Sequence, residues 1–393
     1  MKPPWDIIVL GGGAAGLMAA AVASARGRRV LVLERTDAVG AKILISGGGR
    51  CNFTNLDIRP ERFLSANPPF VRSALSRFTQ HDFIALVAKH RIPFYEKTLG
   101  QLFCEGAGSA KRIVRLLLDE ASRAEIRTGI AVKSVTKGAA FRVETSAGLF
   151  EAEALILATG GLSIPKLGAT DFAFRLAAQF GLPVIPPRPA LVPLVFDAED
   201  RNWMAPLSGL SVDAVARCRG AVFREGLLFT HRGLSGPSIL QISSYWRPGD
   251  ALLVDLWPAG AAGEALTDSK RAHPKALAKT ALASLVPERL ADILSERFGV
   301  AERRMGDLKD KDLHAFGDRL KSLSLTPTGD EGYAKAEVTA GGVDTAVLDQ
   351  KTMQVRAVPG LYIVGEAVDV TGWLGGYNFQ WAWSSGWAAG SAV

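Results

Sequence analysis

The sequence predicts an α/β fold, a parallel-sheet domain interrupted by a long insertion that is part β-barrel and part helical. Three observations predict it. Residues 5–35, WDIIVLGGGAAGLMAAAVASARGRRVLVLER, read as strand, glycine turn, small-residue helix, strand and acid. A second buried strand, residues 155–158, ends in Thr159-Gly160-Gly161. A third apolar run, residues 361–364, enters Gly365-Glu366 close to the C-terminus. That last strand and the helix after it have a sheet to join only if the chain between is an insertion.

The opening unit justifies each part physically. The apolar run 7–10 meets Gly11, Gly13 and Gly16 with GxGxxG spacing. Gly11 turns the chain off the strand, Gly13 leaves room for a pyrophosphate, and Gly16 lets helix 14–25 pack close to the sheet. Ala14 and Ala15 open that helix, whose free N–H groups and positive dipole end suit phosphates. The run 30–33 ends on Glu34, placed to accept hydrogen bonds from a ribose, with Arg35 next. Such a βαβ unit is of Rossmann type and predicts a bound dinucleotide. Lys2, the apolar stretch and its small residues imitate a secretion signal, but three glycines interrupt the apolar core.

Residues 35–60, rich in Gly, Ser and Asn, are expected to be mostly loop. Periodicity predicts helices over 70–78, 82–90 and 109–122. Alternating runs at 130–135, 141–145 and 149–152 predict a small antiparallel piece. Asp171 caps an expected helix 172–180 that Gly181 and Pro183 stop. Five prolines across 183–193 mark a boundary. Residues 194–256 read as short strands with a Pro248-Gly249-Asp250 turn. Residues 262–323 read as helices, 336–343 as strand and turn, and 379–389 as the last helix. The expected organisation is a discontinuous dinucleotide-binding domain, 1–186 with 340–393, and an inserted domain, 187–339. The insertion divides into a barrel (187–261), a helical part (262–323) and return strands (324–339).

Composition narrows the class. At 393 residues the chain exceeds one typical core, and 48% hydrophobic residues are ample for folded domains. No apolar run reaches the roughly 20 residues of a membrane span. Three cysteines argue against a disulfide framework and for a reducing cytoplasm. The five histidines are scattered without metal-ligand spacing, so no metal is expected. The net charge of +7 is dispersed. It reads as a solvated surface rather than a nucleic-acid groove, and favours anionic cofactors or substrates.

The turn at Thr159-Gly160-Gly161 and the late Gly365-Glu366 element together point to flavin rather than nicotinamide. A flavoenzyme needs a strand-end turn over the cofactor and an acid beside the pyrophosphate and ribityl chain. In Ser46-Gly47-Gly48-Gly49-Arg50-Cys51-Asn52, three glycines let the backbone lie against a flat ring. Arg50 offers charge to pyrophosphate or to a reducing ring, and Asn52 and Asn55 suit loop hydrogen bonds. Cys51 has no partner in a CxxC and reads as a buried structural thiol rather than a redox centre. Gly375-Gly376-Tyr377-Asn378 precedes the last helix, whose N-terminus would stabilise negative charge on a reduced flavin. Trp381, Trp383 and Trp387 read as core aromatics. His231 and Arg232 share a loop in the insertion. Either one protonates or orients a substrate anion, or the loop is simply held by hydrogen bonds.

Across nearly its whole length the chain resembles the HI0933-like, or BaiN-type, bacterial flavoproteins, NAD(P)/FAD-dependent oxidoreductases. The carriers are GAKILISGGGRCNFTN at 40–55, ATGGLSIPKLG at 158–168, PALVPL at 189–194, FTHRGLSGPSIL at 229–240, TAGGV at 339–343 and GLYIVGEAVDVTGWLGGYNFQWAWSSG at 360–386. The resemblance implies FAD, a two-dinucleotide-binding-like domain and an inserted barrel-plus-helical domain. FAD contacts are expected at Gly11, Gly13, Ala14, Ala15, Gly16, Glu34, Arg35, Lys42, Gly48, Gly49, Arg50, Cys51, Asn52, Val132, Thr159, Gly160, Gly161, Gly365, Glu366, Gly376, Tyr377, Asn378 and Phe379. His231 and Tyr377 are the catalytic candidates. Ile164 and Cys104 depart from the residues relatives often carry. The expected activity passes hydride from NAD(P)H through flavin to an organic acceptor such as a conjugated enone, or to oxygen, with a small molecule and no nucleic acid as partner. The alternatives are a flavin amine oxidase and a redox sensor without turnover.

Overall fold

The computed structural model describes residues 4–393; Lys2 and its neighbours at 1–3 lie outside the described residues. The chain divides into two units, one running through Pro189 and resuming at Glu337, the other spanning Ala190–Ala336.

In the first unit Trp5–Leu10 lies parallel to Val30–Leu33 on one side and to Gly148–Leu157 on the other. Glu125–Arg127 extends the sheet beyond Val30–Leu33. Leu361–Ile363 pairs in parallel with the end of Gly148–Leu157, so the C-terminal strand joins the N-terminal sheet. The runs expected as separate strands at 149–152 and 155–158 are one strand. Its first half pairs antiparallel with Phe141–Thr145, which in turn pairs with Val132–Lys137, and its second half pairs parallel with Trp5–Leu10. Glu153 interrupts the apolar run but not the ladder, because its side chain is exposed.

One helix, Ala14–Ala25, covers this sheet closely, and the C-terminal helix, Tyr377–Ala392, packs on that helix. A Cβ on Gly386 would lie 2.4 Å from the Ala15 carbonyl oxygen, and one on Gly390 would lie 2.6 Å from that of Ala19. The backbones therefore meet without intervening side chains. Trp381 and Trp383 are buried, and Trp383 stacks on Phe83 with centroids 4.4 Å apart. Their indole N–H groups donate to the Gly365 and Phe53 carbonyls.

Residues 35–60 are more ordered than composition suggests. A helix, Ala41–Gly49, is broken by non-helical backbone at Ser46, Gly47 and Gly48, and Asn52–Asn55 is a strand. The helix forms because Ala41-Lys42-Ile43-Leu44-Ile45 are competent helix residues and Ile43 buries in the core, which outweighs the polar loop composition around them. Asn52–Asn55 pairs with Gln101–Cys104, which pairs with Phe94–Glu96.

The second unit holds a seven-stranded sheet in the order Leu323–Leu325, Leu252–Asp255, Ser211–Cys218, Ala221–Phe229, Gly233–Ser235, Leu194–Val195, Gly329–Asp330. Every pairing is antiparallel. Four helices, Ala262–Ala272, Ala278–Leu282, Glu288–Arg297 and Asp310–Lys321, fill the segment read as helical. No helix among the described residues is long and apolar enough to cross a membrane, and no cluster there has a metal-ligand set.

Candidate flavin site

The glycines of the opening turn divide by what a side chain would meet. A Cβ on Gly11 would lie 2.5 Å from the Ala158 carbonyl oxygen, and one on Gly16 would lie 2.0 Å from that of Gly11. These two serve the packing of turn, helix and neighbouring strand. Gly13 differs, since a Cβ there meets nothing within 4 Å. Its space lies in front of the helix start, where no side chain caps the helix. First-turn N–H groups without a side-chain acceptor beside open space are the physical requirement for a bound phosphate. The Thr159 hydroxyl, at the end of the neighbouring strand, is buried without a partner, and Gly160 beside it also faces open space. An orphaned buried donor next to an open glycine turn suits a polar cofactor. The residues present therefore fit FAD.

Glu34 carries more structure than its expected ribose role. Its carboxylate accepts from the Gly12 N–H at 2.7 Å and from the Thr36 N–H and hydroxyl, each at 2.8 Å. A carboxylate has about four lone-pair sites, so one remains for a ribose hydroxyl. Glu34→Ala is expected to weaken FAD binding by about 1–3 kcal/mol, because a hydrogen bond to a charged group is lost. It should also lower the apoprotein's stability by about 1 kcal/mol or more, as Gly12 and Thr36 lose their acceptor. Flavin titration and denaturant unfolding of the apoprotein check the two effects; an unchanged flavin affinity would remove Glu34 from the site. Arg35 is exposed, and Val132 starts its strand half-buried against the core.

Lys42 and Glu366 form a closed network with two residues not anticipated as site residues, Ser163 and Thr339. The Lys42 ammonium donates to Glu366 Oε2 at 2.7 Å and to Ser163 Oγ at 2.6 Å. Glu366 Oε1 accepts from the Ser163 hydroxyl at 2.8 Å and the Thr339 N–H at 2.9 Å. The Thr339 hydroxyl accepts the N–H groups of Leu162 and Ser163. Burial, the largest single influence, raises the Glu366 carboxyl. The Lys42 charge and the hydrogen bonds from Lys42, Ser163 and Thr339 together outweigh it, and the carboxyl is held below its ordinary range. Gly161 must lack a side chain, since a Cβ would sit 2.5 Å from Thr339 Oγ1 and 2.8 Å from Glu366 Oε1. Ser163 and Thr339 do stand inside motifs visible in sequence, but nothing in their separation announces that they meet.

A second constellation joins the glycine-rich loop to the start of the last helix. Asn55 Nδ2 donates to the Gly375 carbonyl at 2.9 Å. With its amide turned to satisfy its neighbours, Asn52 donates to Leu102 and Thr54 and accepts from the Gly376 N–H. Gly376 has φ +97° at the helix N-cap, and a Cβ there would lie 2.4 Å from the Thr54 carbonyl. Asn378 braces the preceding loop through Gly372 and Trp373. Phe379 stacks on Trp383 at 5.5 Å. Tyr377 is buried, and its hydroxyl accepts from Arg62 and donates to the Asp57 carbonyl. Burial raises its pKa. As placed, Tyr377 has no free hydroxyl proton to offer a ligand. Arg50 donates to the Tyr95 hydroxyl at 3.2 Å, and Gly48 and Gly49 have φ of +65° and +80°. His231 is exposed at the tip of the turn between Ala221–Phe229 and Gly233–Ser235 of the second unit.

Cys51 is fully buried, and burial pushes its thiol far above the usual range, with Cys104 adding to the rise and a Ser46 hydrogen bond opposing it. Burial likewise pushes Cys104 up to about 12. Both are held as thiols, as a structural reading requires. A thiol-specific reagent at pH 8 is expected to leave the native protein unlabelled and to label all three cysteines after denaturation. Rapid native labelling of Cys51 would reopen a redox role.

The family described as the HI0933-like protein Rossmann domain matches residues 5–392. A ribosomal RNA dihydrouridine synthase of Escherichia coli (strain K12) is 48% identical over 388 residues, covering 98% of this chain and 96% of that protein. A protein of the same name from Haemophilus influenzae is 45% identical over 395 residues, covering 98% of each. A 3-dehydro-bile acid delta(4,6)-reductase of Clostridium scindens is 31% identical over 406 residues, again covering 98% of each. With its parallel sheet, open glycine turn and matching motifs, the chain belongs to the HI0933-like family and is an FAD-dependent oxidoreductase.

Proposed function

We propose that this enzyme reduces the C5=C6 bond of a uridine in ribosomal RNA to dihydrouridine. One observation carries the reading. Two relatives named for that activity are 48% and 45% identical over essentially the full chain, against 31% for the bile acid reductase. The names also share a chemistry. A uracil C5=C6 bond is conjugated to the C4 carbonyl, and the bile acid reductase is named for double bonds in a 3-dehydro, hence 3-keto, acid. Both are carbon–carbon double bonds joined to a carbonyl. Reduction of such a bond needs hydride at the carbon distal to the carbonyl and a proton at the adjacent one. A nucleotide in RNA thereby replaces the free small molecule expected from dispersed charge.

Bound flavin supplies the hydride, with NAD(P)H as the ultimate donor. The chain's own residues have separate tasks. The helix start at Ala14 and the open space at Gly13 receive the pyrophosphate. The Lys42–Glu366–Ser163–Thr339 network holds the strand-end turn, the broken helix and Val338–Val343 in one arrangement. Glu337 precedes that strand with its side chain exposed to solvent, although the chain atoms crowded around it push its carboxyl upward. The discontinuous unit carries the flavin.

The test is direct. Purified protein with FAD, NADH or NADPH and ribosomal RNA lacking the modification is expected to form dihydrouridine, read by mass spectrometry of the digested RNA. Flavin oxidation should depend on added RNA. Rapid reoxidation by a 3-keto steroid acid with conjugated 4,5 and 6,7 double bonds, with no reaction on RNA, would favour the bile-acid-type reading instead.

A further inference from the structure

We propose that the cavity beside the glycine-rich loop is the pocket for the substrate nucleotide, an unpaired uridine extruded from RNA. The proposal rests on the RNA reading above and adds where the base sits. The cavity, of about 550 Å³ and broadly open to solvent, is lined by Gly48, Arg50, Tyr95, Glu105, Gly106 and Ala107. That volume lies within the roughly 300–1,000 Å³ of small-ligand pockets.

Two glycine-bearing loops form it. A Cβ on Gly49 would come within 3.9 Å of the Gly108 N–H, so the loops run side by side. Gly48 and Gly106 have positive φ, and a Cβ on either meets nothing within 4 Å. Both loops thus present bare backbone to the space between them. One wall, Gly48, belongs to the loop that sequence reasoning sets against the flavin ring, so a base held here lies next to the expected hydride source.

The lining suits one nucleotide. Tyr95 offers a ring face, and it already stacks on Phe103 with centroids 6.0 Å apart and planes at 25°. Bases extruded from RNA stack on aromatic rings and arginine planes in this way. Arg50, held by the Tyr95 hydroxyl, supplies a cation for a phosphate. Glu105 is exposed and offers an acceptor to the uracil N3–H. Beyond the pocket, exposed cations stand beside exposed Glu96. The Lys97 ammonium lies 5.5 Å from the Phe103 ring centroid, and exposed Lys111 and Arg112 open the helix Ala110–Glu120. Cations continuing past a one-nucleotide pocket suit a polyanion that continues as well.

The experiment uses full-length, FAD-loaded protein and a fluorescein-labelled single-stranded oligoribonucleotide containing uridine, followed by anisotropy at fixed salt. Ala107→Trp fills the cavity from an exposed position. Tyr95→Ala removes the ring, and Tyr95→Phe keeps it. The first two are expected to weaken RNA binding by about tenfold, and Tyr95→Phe by no more than about twofold. FAD content and melting temperature should stay at wild-type values. If the wild type forms dihydrouridine and both Ala107→Trp and Tyr95→Ala bind RNA normally, the pocket assignment is wrong while the RNA reading stands. A parallel loss of FAD in these variants would give the cavity to the flavin and overturn the proposal. Blocked flavin reduction by NADH with unchanged RNA affinity would give it to the nicotinamide, with the same consequence. A wild type that neither binds nor modifies RNA would overturn both readings.

Discussion

Gly13→Val is expected to give a folded protein without flavin. Gly13 has φ −82° and ψ −170°, a conformation that valine adopts readily. The new Cβ meets no atom within 4 Å. The fold therefore loses only the small difference between glycine and valine at a helix N-cap, about 1 kcal/mol or less. The branched side chain instead fills the space in front of the helix start. There it keeps phosphate oxygens away from the first-turn N–H groups. Losing that anion site should weaken FAD by at least about a hundredfold, the equivalent of about 2.7 kcal/mol. Gly16→Ala is the contrasting control. Its Cβ would sit 2.0 Å from the Gly11 carbonyl oxygen, so turn and helix must move apart. Overpacking of this kind costs about 1–3 kcal/mol of stability. Flavin absorbance at fixed protein concentration and thermal unfolding of the two apoproteins separate the effects. A yellow Gly13→Val protein would mean that the pyrophosphate does not approach this glycine.

Lys42→Met is expected to destabilise the protein at neutral pH, and much less in acid. The substitution leaves the Glu366 carboxylate with the Ser163 hydroxyl and the Thr339 N–H, but without its cation. Breaking a fully buried pair from one side costs about 3–5 kcal/mol. Lys42 is 32% exposed and Glu366 19%, so the loss here should be nearer 1–3 kcal/mol. The sign follows from protonation. In the wild type the folded carboxyl is held below its ordinary value, so its contribution is complete above about pH 4.3, the unfolded value. That contribution disappears as pH falls through the depressed folded value. In the variant only burial and two weaker hydrogen bonds remain, and burial disfavours the charge. The gap between wild type and variant should therefore be widest near pH 7 and close below about pH 4. Adding Glu366→Gln to Lys42→Met should recover much of the lost stability, because no buried charge is left alone. Denaturant titrations at several pH values read all three proteins. An equal loss at pH 7 and pH 3.5 would show that Lys42 acts by packing and not by its charge.

The two predictions rest on features of different legibility. Gly11, Gly13 and Gly16 look equivalent in a motif. Their spacing announces a turn, a phosphate approach and a close helix, and the first and last crowd the backbone while the middle one opens to space. Lys42, Ser163, Thr339 and Glu366 sit in four separate motifs, each with an independent local explanation. Local chemistry assigns Glu366 to a cofactor and the family resemblance assigns Lys42, but their partnership arises only when the sheet brings residues 42, 163, 339 and 366 to one place. Tyr377 shows the opposite. Tyr377, at a helix start beside an expected ring, is a catalytic candidate in the sequence. Its hydroxyl is occupied because Arg62 and Asp57, more than three hundred residues earlier, fold against it.

By itself the sequence determined the βαβ opening, the strand after the insertion and the flavin-type turns, because each depends on short-range rules. Apolar runs make buried strands, glycine spacing sets a turn, and an acid ends the second strand. The same rules failed at residues 35–60, where polar composition concealed a broken helix and a strand. They failed again at 149–158, where exposed Glu153 divided one strand in two. Only the tertiary structure decided which charges pair, which thiols stay protonated and which loops face each other. Those outcomes depend on desolvation and on contacts between residues far apart in the chain, and neither is written in the local order of side chains.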